Sequence, residues 1–274
     1  MPLSALKRKA RRLSRRARNW STIVQHTLQG NKVEKKSNLK NSKNPILMIY
    51  GFGATRRTLA ILENRLKADG FTIFSFNLGG VFGTFNTSSI EETARYIDKK
   101  IERVYKKHKF KGKLTILGHS KGGLIGQYYI KFLRGTKRVK AFVTIGTPHN
   151  GTPWALLASY TPVTLILKSL KQMSPMHGFI KKLKDKAFPK SIKVFSIYSK
   201  DDTVCPFPTA VLDEKSNIKN IELSGVTHAE LLIKKTAYNA IKHALLDNMP
   251  ESWQDVSRKN YQDHLEKAKL KLLK

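Results

Sequence analysis

Short apolar runs alternate with longer amphipathic segments through most of the chain, from residue 45 to about residue 246. The short runs are rich in β-branched and aromatic residues, which is typical of buried strands. Six such runs are present, at residues 45–50, 71–76, 114–117, 139–145, 192–198 and 218–223. Since helical patterns separate most of them, we predict an α/β fold: a mostly parallel sheet of about six strands with helices on both faces.

Local signals mark the ends of several predicted helices. Gly70 is placed to stop the helix predicted over 58–69, because glycine readily takes the left-handed conformation at a helix end. Ser89 and Glu92 form a capping box that predicts the start of a long amphipathic helix. Residues 153–190 interrupt the alternation and mix apolar with basic positions. We interpret them as a helical cap over the sheet, either a lid that recognises an apolar substrate or a structural insertion.

The first 44 residues differ in character from the rest of the chain. They are dense in Lys and Arg and nearly free of acidic residues, Glu34 being the exception. Apolar residues recur there at steps of three and four and so share one helical face: Leu3, Leu6, Ala10, Leu13, Ala17, Trp20, Val24 and Leu28. Three interpretations stay open: a helix at an anionic membrane surface, a solvated or intramolecularly docked helix, and a transit peptide. Residues 30–44 are polar and lysine-rich, which predicts a linker.

These patterns predict three parts of the chain. A basic amphipathic N-terminal arm and its linker occupy 1–44, one domain occupies 45–250 with the cap at about 153–190, and a basic helix occupies 251–274. A chain of 274 residues with 40% hydrophobic content can bury one sizeable core.

The net charge of the chain indicates which classes of binding partner to expect. The formal net charge is +33, from 52 Lys and Arg against 19 Asp and Glu. Such a field attracts polyanions, and the apolar stripe of the first helix favours an anionic membrane over nucleic acid. No run reaches the ~18 apolar residues of a membrane span, and the basic N-terminus has no signal-peptide core. We therefore expect a cytoplasmic protein, with peripheral attachment to the inner membrane face as an option; the oligomeric state is not determined.

The stretch Gly118-His119-Ser120-Lys121-Gly122 follows a strand-like run and precedes a helical pattern. This is the context that a nucleophile turn of the type G-x-S-x-G needs. Ser120 would take a strained conformation that projects its hydroxyl, and the flanking glycines would let strand and helix approach. The N–H of Lys121 would open the helix and face a developing oxyanion.

A serine nucleophile needs a base, and the base needs an orienting carboxylate. His228 follows the last predicted strand, the position expected for the base, and His149 after the fourth strand is its competitor. His119 is adjacent to the serine, but we expect its side chain to point away along the turn. For the acid, Asp201 and Asp202 both follow the fifth strand, and we prefer Asp202.

Two further residues complete the expected site. Phe52, in the loop after the first strand, is the natural second backbone donor for the oxyanion. Cys205 is the single cysteine, which excludes an internal disulfide and suits a reducing compartment. We expect it to pack as a small apolar residue rather than to act as a catalytic thiol.

Several segments together resemble the α/β-hydrolase fold lipases and esterases, particularly bacterial triacylglycerol-lipase-like proteins. The resemblance rests on Gly-His-Ser-Lys-Gly-Gly at 118–123, Gly-Thr-Pro-His-Asn-Gly-Thr at 146–152 and Asp-Thr-Val-Cys-Pro at 202–206, and it covers roughly 45–246. Residues 170–180 are also similar to a segment in the cap of those lipases.

The resemblance implies Ser120 as nucleophile, Asp202 as acid and His228 as base, with backbone donors at Phe52 and Lys121. Many relatives carry His-Gly after the first strand, where this chain has Tyr50-Gly51. The donor is a backbone group, so the exchange leaves it in place but opens the question of loop shape and substrate range.

The sequence therefore predicts a serine carboxylic ester hydrolase that acts on lipid or another apolar acyl ester. No metal or organic cofactor is implied. One alternative is an acyltransferase or thioesterase with the same three residues. Another is a polyanion- or membrane-binding protein with an incidental hydrolase domain.

Overall fold

The computed structural model describes residues 3–32, 39, 42, 45–80, 83–158 and 167–247. The predicted C-terminal helix over 251–274 lies outside the described residues, as do most of the predicted linker and residues 159–166 of the cap.

One six-stranded sheet forms the centre of the molecule. Its strands are β1 (Pro45–Ile49), β2 (Thr72–Phe74), β3 (Leu114–His119), β4 (Val139–Ile145), β5 (Lys193–Ser199) and β6 (Ile218–Leu223). They lie in the order β2-β1-β3-β4-β5-β6, and every neighbouring pair is parallel. The predicted α/β class, a parallel sheet of six strands, is confirmed. The edge strand β2 is shorter than predicted and pairs with β1 alone.

Helices connect and flank the strands. They are α1 (Leu3–Leu28), α2 (Ala60–Ala68), α3 (Ile90–His108), α4 (Lys121–Phe132), α5 (Gly135–Arg138), α6 (Pro153–Ala158), α7 (Lys168–Gln172), α8 (Gly178–Asp185) and α9 (Lys235–Leu246). Short 3₁₀ turns occupy Arg56–Leu59 and Glu230–Leu232. The predicted N-cap of α3 is confirmed for Ser89, since its hydroxyl accepts the N–H of Glu92 at 3.3 Å.

The described part of the N-terminal segment is not separate from this core. Ile23 of α1 is 7% exposed and belongs to the same hydrophobic cluster as the central strands. Among the interpretations left open above, the structure shows intramolecular docking for the C-terminal half of α1. The domain boundaries at 44 and 250 stay predictions. Among the described residues, no helix combines the length and the apolar character needed to cross a bilayer.

Because all six strands are parallel, their carboxyl ends meet at one edge of the sheet. Phe52 follows β1, Ser120 follows β3, Asp202 follows β5 and His228 follows β6. In parallel sheets this edge is where binding sites form.

Candidate active site

Ser120 stands between β3 and α4 in a conformation that side chains rarely adopt. Its φ is +53° and its ψ is −128°. In the described part of the chain the other non-glycine residues of positive φ, Lys109 and Asp247, have ordinary left-handed values at helix ends. The Ser120 N–H donates to the carbonyl of Ile145 at 2.9 Å, which ties the turn to β4. Strain of this kind persists where the surrounding structure fixes it, and here it exposes the hydroxyl at the turn.

Close backbone contacts explain two glycines of this turn. A Cβ on Gly122 would lie 2.1 Å from the carbonyl oxygen of Ile49, at the end of β1. A Cβ on Gly118 would lie 2.7 Å from the Cα of Gly123. Side chains at these positions would force α4 away from the sheet, so the spacing of the motif follows from the packing of strand against helix.

Asp202 and His228 are joined by a hydrogen bond. The Nδ1 of His228 lies 2.7 Å from the Oδ2 of Asp202. The other carboxylate oxygen accepts the N–H groups of Val204 at 2.9 Å and Cys205 at 2.8 Å, and Asp202 is only 2% exposed. A carboxylate fixed in this way orients the imidazole and leaves its Nε2 free to act as a base.

The competing residues are engaged elsewhere. Asp201 forms an ion pair with Arg12 at 3.5 Å. The Nε2 of His149 lies 3.0 Å from the Thr144 hydroxyl, and its Nδ1 lies 2.9 Å from the Gln127 amide oxygen. Burial, assisted by the nearby charge of Lys131, lowers the pKa of His149 to about 3, so this ring is a neutral structural group.

His119 does not point away from the site, and that prediction is wrong. Its ring centroid lies 4.7 Å from that of His228, and the side chain lines the same pocket as Ser120. Its Nδ1 would lie 3.5 Å from a Cβ placed on Gly51. The ring is thus enclosed by the loop after β1 and the loop after β6, because both close over the end of β3. Burial and the neighbouring His228 lower the pKa of His119 well below its usual range, so it contacts His228 as a neutral ring.

The side chain of Lys121 is fully buried. Nothing in the sequence distinguishes this lysine from the many other basic residues of the chain. Its Nζ donates to the Asn86 carbonyl at 3.2 Å, to the Asn86 side-chain oxygen at 2.9 Å and to the Ser88 carbonyl at 2.6 Å. Burial lowers the pKa of this amine to about 7. The Nζ also lies 5.8 Å from the centre of the Phe52 ring. The residue after Ser120 therefore holds a neighbouring loop with its side chain.

That loop in turn supports the expected oxyanion donor. The Asn86 amide donates to the carbonyl of Tyr50 at 2.9 Å, and the Asn86 carbonyl accepts the Gly53 N–H at 3.1 Å. The Asn86 N–H donates to the Ala54 carbonyl at 3.1 Å. Asn86 thus binds the backbone on both sides of Phe52, and Lys121 binds Asn86.

Tyr50, which stands where the resemblance leads us to expect histidine, is buried and hydrogen-bonded through its hydroxyl. Its hydroxyl donates to the side-chain oxygen of Asn31 at 3.2 Å and accepts the N–H of Leu78 at 2.7 Å. Burial raises the pKa of Tyr50 to about 12, so the phenol stays neutral. The tyrosine therefore links the chain after α1 to the loop after β2.

A cavity of about 380 Å³ opens above these residues. Its volume lies within the roughly 300–1,000 Å³ range of small-molecule sites. Ser120, His228 and His119 line it together with the loop after β1. The remaining lining is largely apolar and includes Trp154, Leu170 and Met173 of the cap, together with α1.

Helix α1 forms one wall of this cavity. Its contribution comes from a single helical face: Trp20, Ile23, Val24, Thr27 and Leu28. Three of them, Trp20, Val24 and Leu28, belong to the apolar stripe predicted from the sequence, but the position of that stripe at the site was not predicted. The stripe continues as far as Leu28, which indicates that the end of the helix has an apolar face. Periodicity does not identify the surface on which that face packs.

Cys205 lies beside the candidate catalytic residues and is 1% exposed. Burial raises the pKa of its thiol well above the usual range, the Asp202 charge adds to this, and a hydrogen bond with Ser120 opposes it. In the described part of the chain, ligand atoms of Asp202, Cys205 and His228 lie within 4.8 Å of one another and could hold a metal ion. A metal there would replace the hydrogen bond between Asp202 and His228, so the same groups cannot serve both purposes at once.

Comparisons with known proteins agree with this fold. Residues 44–162 match the family model of the alpha/beta hydrolase fold. Lipase B of Aspergillus fumigatus superposes with a TM-score of 0.62 at 20% identity, over 83% of this chain and 57% of that one. The chain thus spans little more than half of the length of that lipase. The mature form of Bacillus licheniformis lipase BlEst2 gives a TM-score of 0.61 at 16% identity, over 79% of this chain and 96% of that one.

A third similar structure is a soluble variant of monoglyceride lipase from Saccharomyces cerevisiae, in complex with a substrate analogue. It gives a TM-score of 0.55 at 15% identity, over 81% of this chain and 90% of that one. At these identities the structural likenesses establish the fold.

Proposed function

We propose that this protein, which has the α/β-hydrolase fold, is a serine carboxylic ester hydrolase that cleaves apolar acyl esters. One observation carries the proposal: His228, hydrogen-bonded to the buried Asp202, lines the same apolar cavity as the strained Ser120. The similar solved structures described as lipases support the proposal at the level of fold.

The chemistry is acyl transfer to serine and then to water. His228 Nε2 takes the proton from Ser120 Oγ as this oxygen attacks the ester carbonyl carbon, and Asp202 stabilises the imidazolium. The oxyanion accepts the N–H groups of Phe52 and Lys121. The intermediate expels the alcohol, which leaves with the proton from His228. Water, losing a proton to His228, then attacks the carbonyl carbon of the acyl-enzyme. The bond to Ser120 Oγ breaks, Oγ takes the proton back from His228, and the carboxylic acid leaves.

The test is hydrolysis of p-nitrophenyl esters by the wild type and by Ser120→Ala. We expect turnover by the wild type and a loss of several orders of magnitude in kcat in the variant. The variant should keep its fold, because the Ser120 hydroxyl makes no capping hydrogen bond to helix α4. Circular dichroism and the urea midpoint would check folding. Turnover by folded Ser120→Ala at the wild-type rate would refute the serine mechanism.

We also propose that α1 binds an anionic membrane surface beside the cavity mouth. Large apolar side chains stand exposed around that mouth, including Trp20 at 50%, Leu28 at 73% and Trp154 at 56%. The same helix carries the exposed arginines Arg11, Arg12, Arg15 and Arg18. Apolar groups flanked by cations are the pattern of interfacial helices.

Deleting α1 would also remove the cavity wall, so charge neutralisation is the cleaner experiment. We expect Arg11, Arg15 and Arg18 changed together to Gln to weaken cosedimentation with phosphatidylglycerol vesicles, while binding to phosphatidylcholine vesicles stays low in both proteins.

The matched control removes the same charge from the exposed side of α3, through Lys99, Lys106 and Lys107 changed to Gln. A local membrane site predicts that this control binds nearly as the wild type does. Equal losses in the two triple variants would attribute binding to the net charge of the whole chain and contradict a specific role of α1.

A further inference from the structure

The wall that α1 adds to the cavity lies outside the part of the chain that matches the hydrolase family. The matching region begins at residue 44, whereas α1 spans Leu3–Leu28. Anything that this helix does at the site is therefore a property of this chain's own N-terminal segment.

Hydrogen bonds hold the helix in place next to the loop after β1. The Thr55 hydroxyl donates to the Thr27 carbonyl at 2.9 Å, and the hydroxyls of Thr27 and Thr58 lie 2.8 Å apart. The Arg57 N–H donates to the carbonyl of Gly30 at 3.3 Å. These contacts fix the end of α1 to the segment that directly follows Phe52.

The helix is also tied to the loop that carries His228. The Asn19 amide donates to the carboxylate of Glu230 at 3.0 Å, and that carboxylate also accepts the N–H of Thr227 at 3.0 Å. Glu230 is 1% exposed. Helix α1 therefore spans the site from the His228 side to the Phe52 side, and its intervening residues face the cavity.

We propose that α1 is the wall of the acyl-chain subsite and that Val24 and Trp20 set the length of acyl chain that the site accepts. This inference rests on the proposed function. An acyl chain begins at the carbon that bonds to Ser120 and enters the apolar space between α1 and the cap residues Leu170 and Met173. Val24 and Trp20 are 45% and 50% exposed, which places them at the rim, where a longer chain leaves the cavity.

The first experiment compares kcat/KM for p-nitrophenyl acetate, butyrate, hexanoate and octanoate, each below its aggregation limit. A larger side chain at the rim should exclude long chains selectively. In Val24→Phe we expect the octanoate-to-acetate ratio to fall roughly tenfold or more. An unchanged ratio in the folded variant would overturn the proposal.

The matched control is Leu13→Ala. Leu13 lies on the same helix and is similarly exposed, at 57%, but does not line the cavity. We expect its chain-length profile to equal that of the wild type. A second series with the acyl group fixed as acetate and the alkyl alcohol lengthened identifies the occupant. If Val24→Phe discriminates in that series and not in the acyl series, the wall serves the alcohol and the acyl proposal is wrong.

A binding experiment needs no catalysis and no variant of the wall. In Ser120→Ala with Trp154→Phe and Trp253→Phe, Trp20 is the remaining tryptophan of the chain's three. We expect saturable quenching of its fluorescence by ω-bromodecanoate, whose bromine would reach the rim. Absence of quenching, with Trp154 quenched in the reciprocal variant, would place the chain elsewhere and overturn the proposal.

The two proposals can fail separately. Saturable quenching of Trp20 in a protein whose wild type hydrolyses no ester would refute the hydrolase and support the subsite. Ester hydrolysis that depends on Ser120, with no response to Val24→Phe and no quenching of Trp20, would support the hydrolase and refute the subsite.

Discussion

The turn around Ser120 and the helix α1 border the same cavity, but the chain builds them in different ways. The turn is formed within residues 118–123, where glycines permit close contacts and neighbouring strands fix the strained serine. Helix α1 depends on partners far along the chain, such as the Glu230 carboxylate that accepts from Asn19 across 211 residues. The motif that carries the candidate nucleophile can therefore be recognised from local sequence, whereas the position of the wall depends on distant contacts.

Buried and exposed cations repeat the contrast. Lys121 is 0% exposed and donates to three oxygens beside the Phe52 loop. The exposed arginines of α1 face solvent, with Arg12 paired to Asp201. In a chain of net charge +33, we therefore expect the exchange of an exposed arginine of α1 to affect the site less than the exchange of Lys121.

The largest loss of kcat is expected when the Asp202 carboxylate, the candidate acid, is removed. Asp202→Asn should lower kcat by roughly 10³- to 10⁴-fold, because the amide no longer holds the His228 tautomer that the reaction needs. Asp201→Asn is the matched control, since Asp201 pairs with Arg12 and not with His228. Ester hydrolysis would be measured for both. A larger loss in Asp201→Asn than in Asp202→Asn would reverse the assignment of the acid.

A smaller loss is expected from Lys121→Met, which keeps the backbone N–H but releases Asn86. The loop around Phe52 should loosen, and kcat should fall roughly 10- to 100-fold with little change in KM. Lys131→Met is the control, because Lys131 is also buried on α4 but donates to the Leu183 carbonyl, away from the site. Equal kcat losses in the two variants would indicate a general effect of removing a buried amine.

The same variant carries a pH prediction. Burial lowers the pKa of Lys121 from 10.5 to about 7. Between these values the unfolded chain retains a proton that the folded chain has released, so the free energy of unfolding should rise with pH through this window. Urea denaturation across that range should show a shallower rise in Lys121→Met than in the wild type. An identical slope would mean that Lys121 keeps its proton in the folded state.

The smallest effect on chemistry is expected where the docking of α1 is weakened. The Asn31 side chain accepts from Tyr50 and from the Arg56 N–H at 3.0 Å, and donates to the Thr84 carbonyl at 3.0 Å. Asn31→Ala should lower the free energy of unfolding by about 1–3 kcal/mol, because buried polar partners lose their hydrogen bonds. Hydrolysis of an acetate ester should change less than in Lys121→Met. The opposite order would show that the docking of α1 controls the chemical step.

Features set by local sequence could be predicted, and features set by contacts between distant segments could not. The six strands and the Ser89 cap were predictable because periodicity and capping are local properties. The candidates Asp202 and His228 could be placed because parallel strands bring their carboxyl ends to one edge, and the structure brings these two side chains together. The preference for Asp202 over Asp201 rested on the Asp-Thr-Val-Cys-Pro segment that Asp202 begins. The structure adds the different partners of the two carboxylates.

The remainder depended on how distant loops close over the sheet. The orientation of His119 was predicted wrongly, since the loops after β1 and β6 enclose it. The burial of Lys121 required the acceptors of residues 86–88, and the proximity of Cys205 to Ser120 required the loop after β5 to fold back. A basic amphipathic stripe has the same pattern on a membrane and against its own domain, so periodicity could not locate α1.

Covalent labelling tests the central claim most directly. The wild type would be treated with an alkyl fluorophosphonate, and the intact mass and the modified peptide would be determined by mass spectrometry. We predict one adduct, on Ser120, that is absent from Ser120→Ala and strongly slowed in Asp202→Asn. A folded wild type that stays unlabelled, or that is labelled at another residue, would contradict the account of Ser120 as the activated nucleophile.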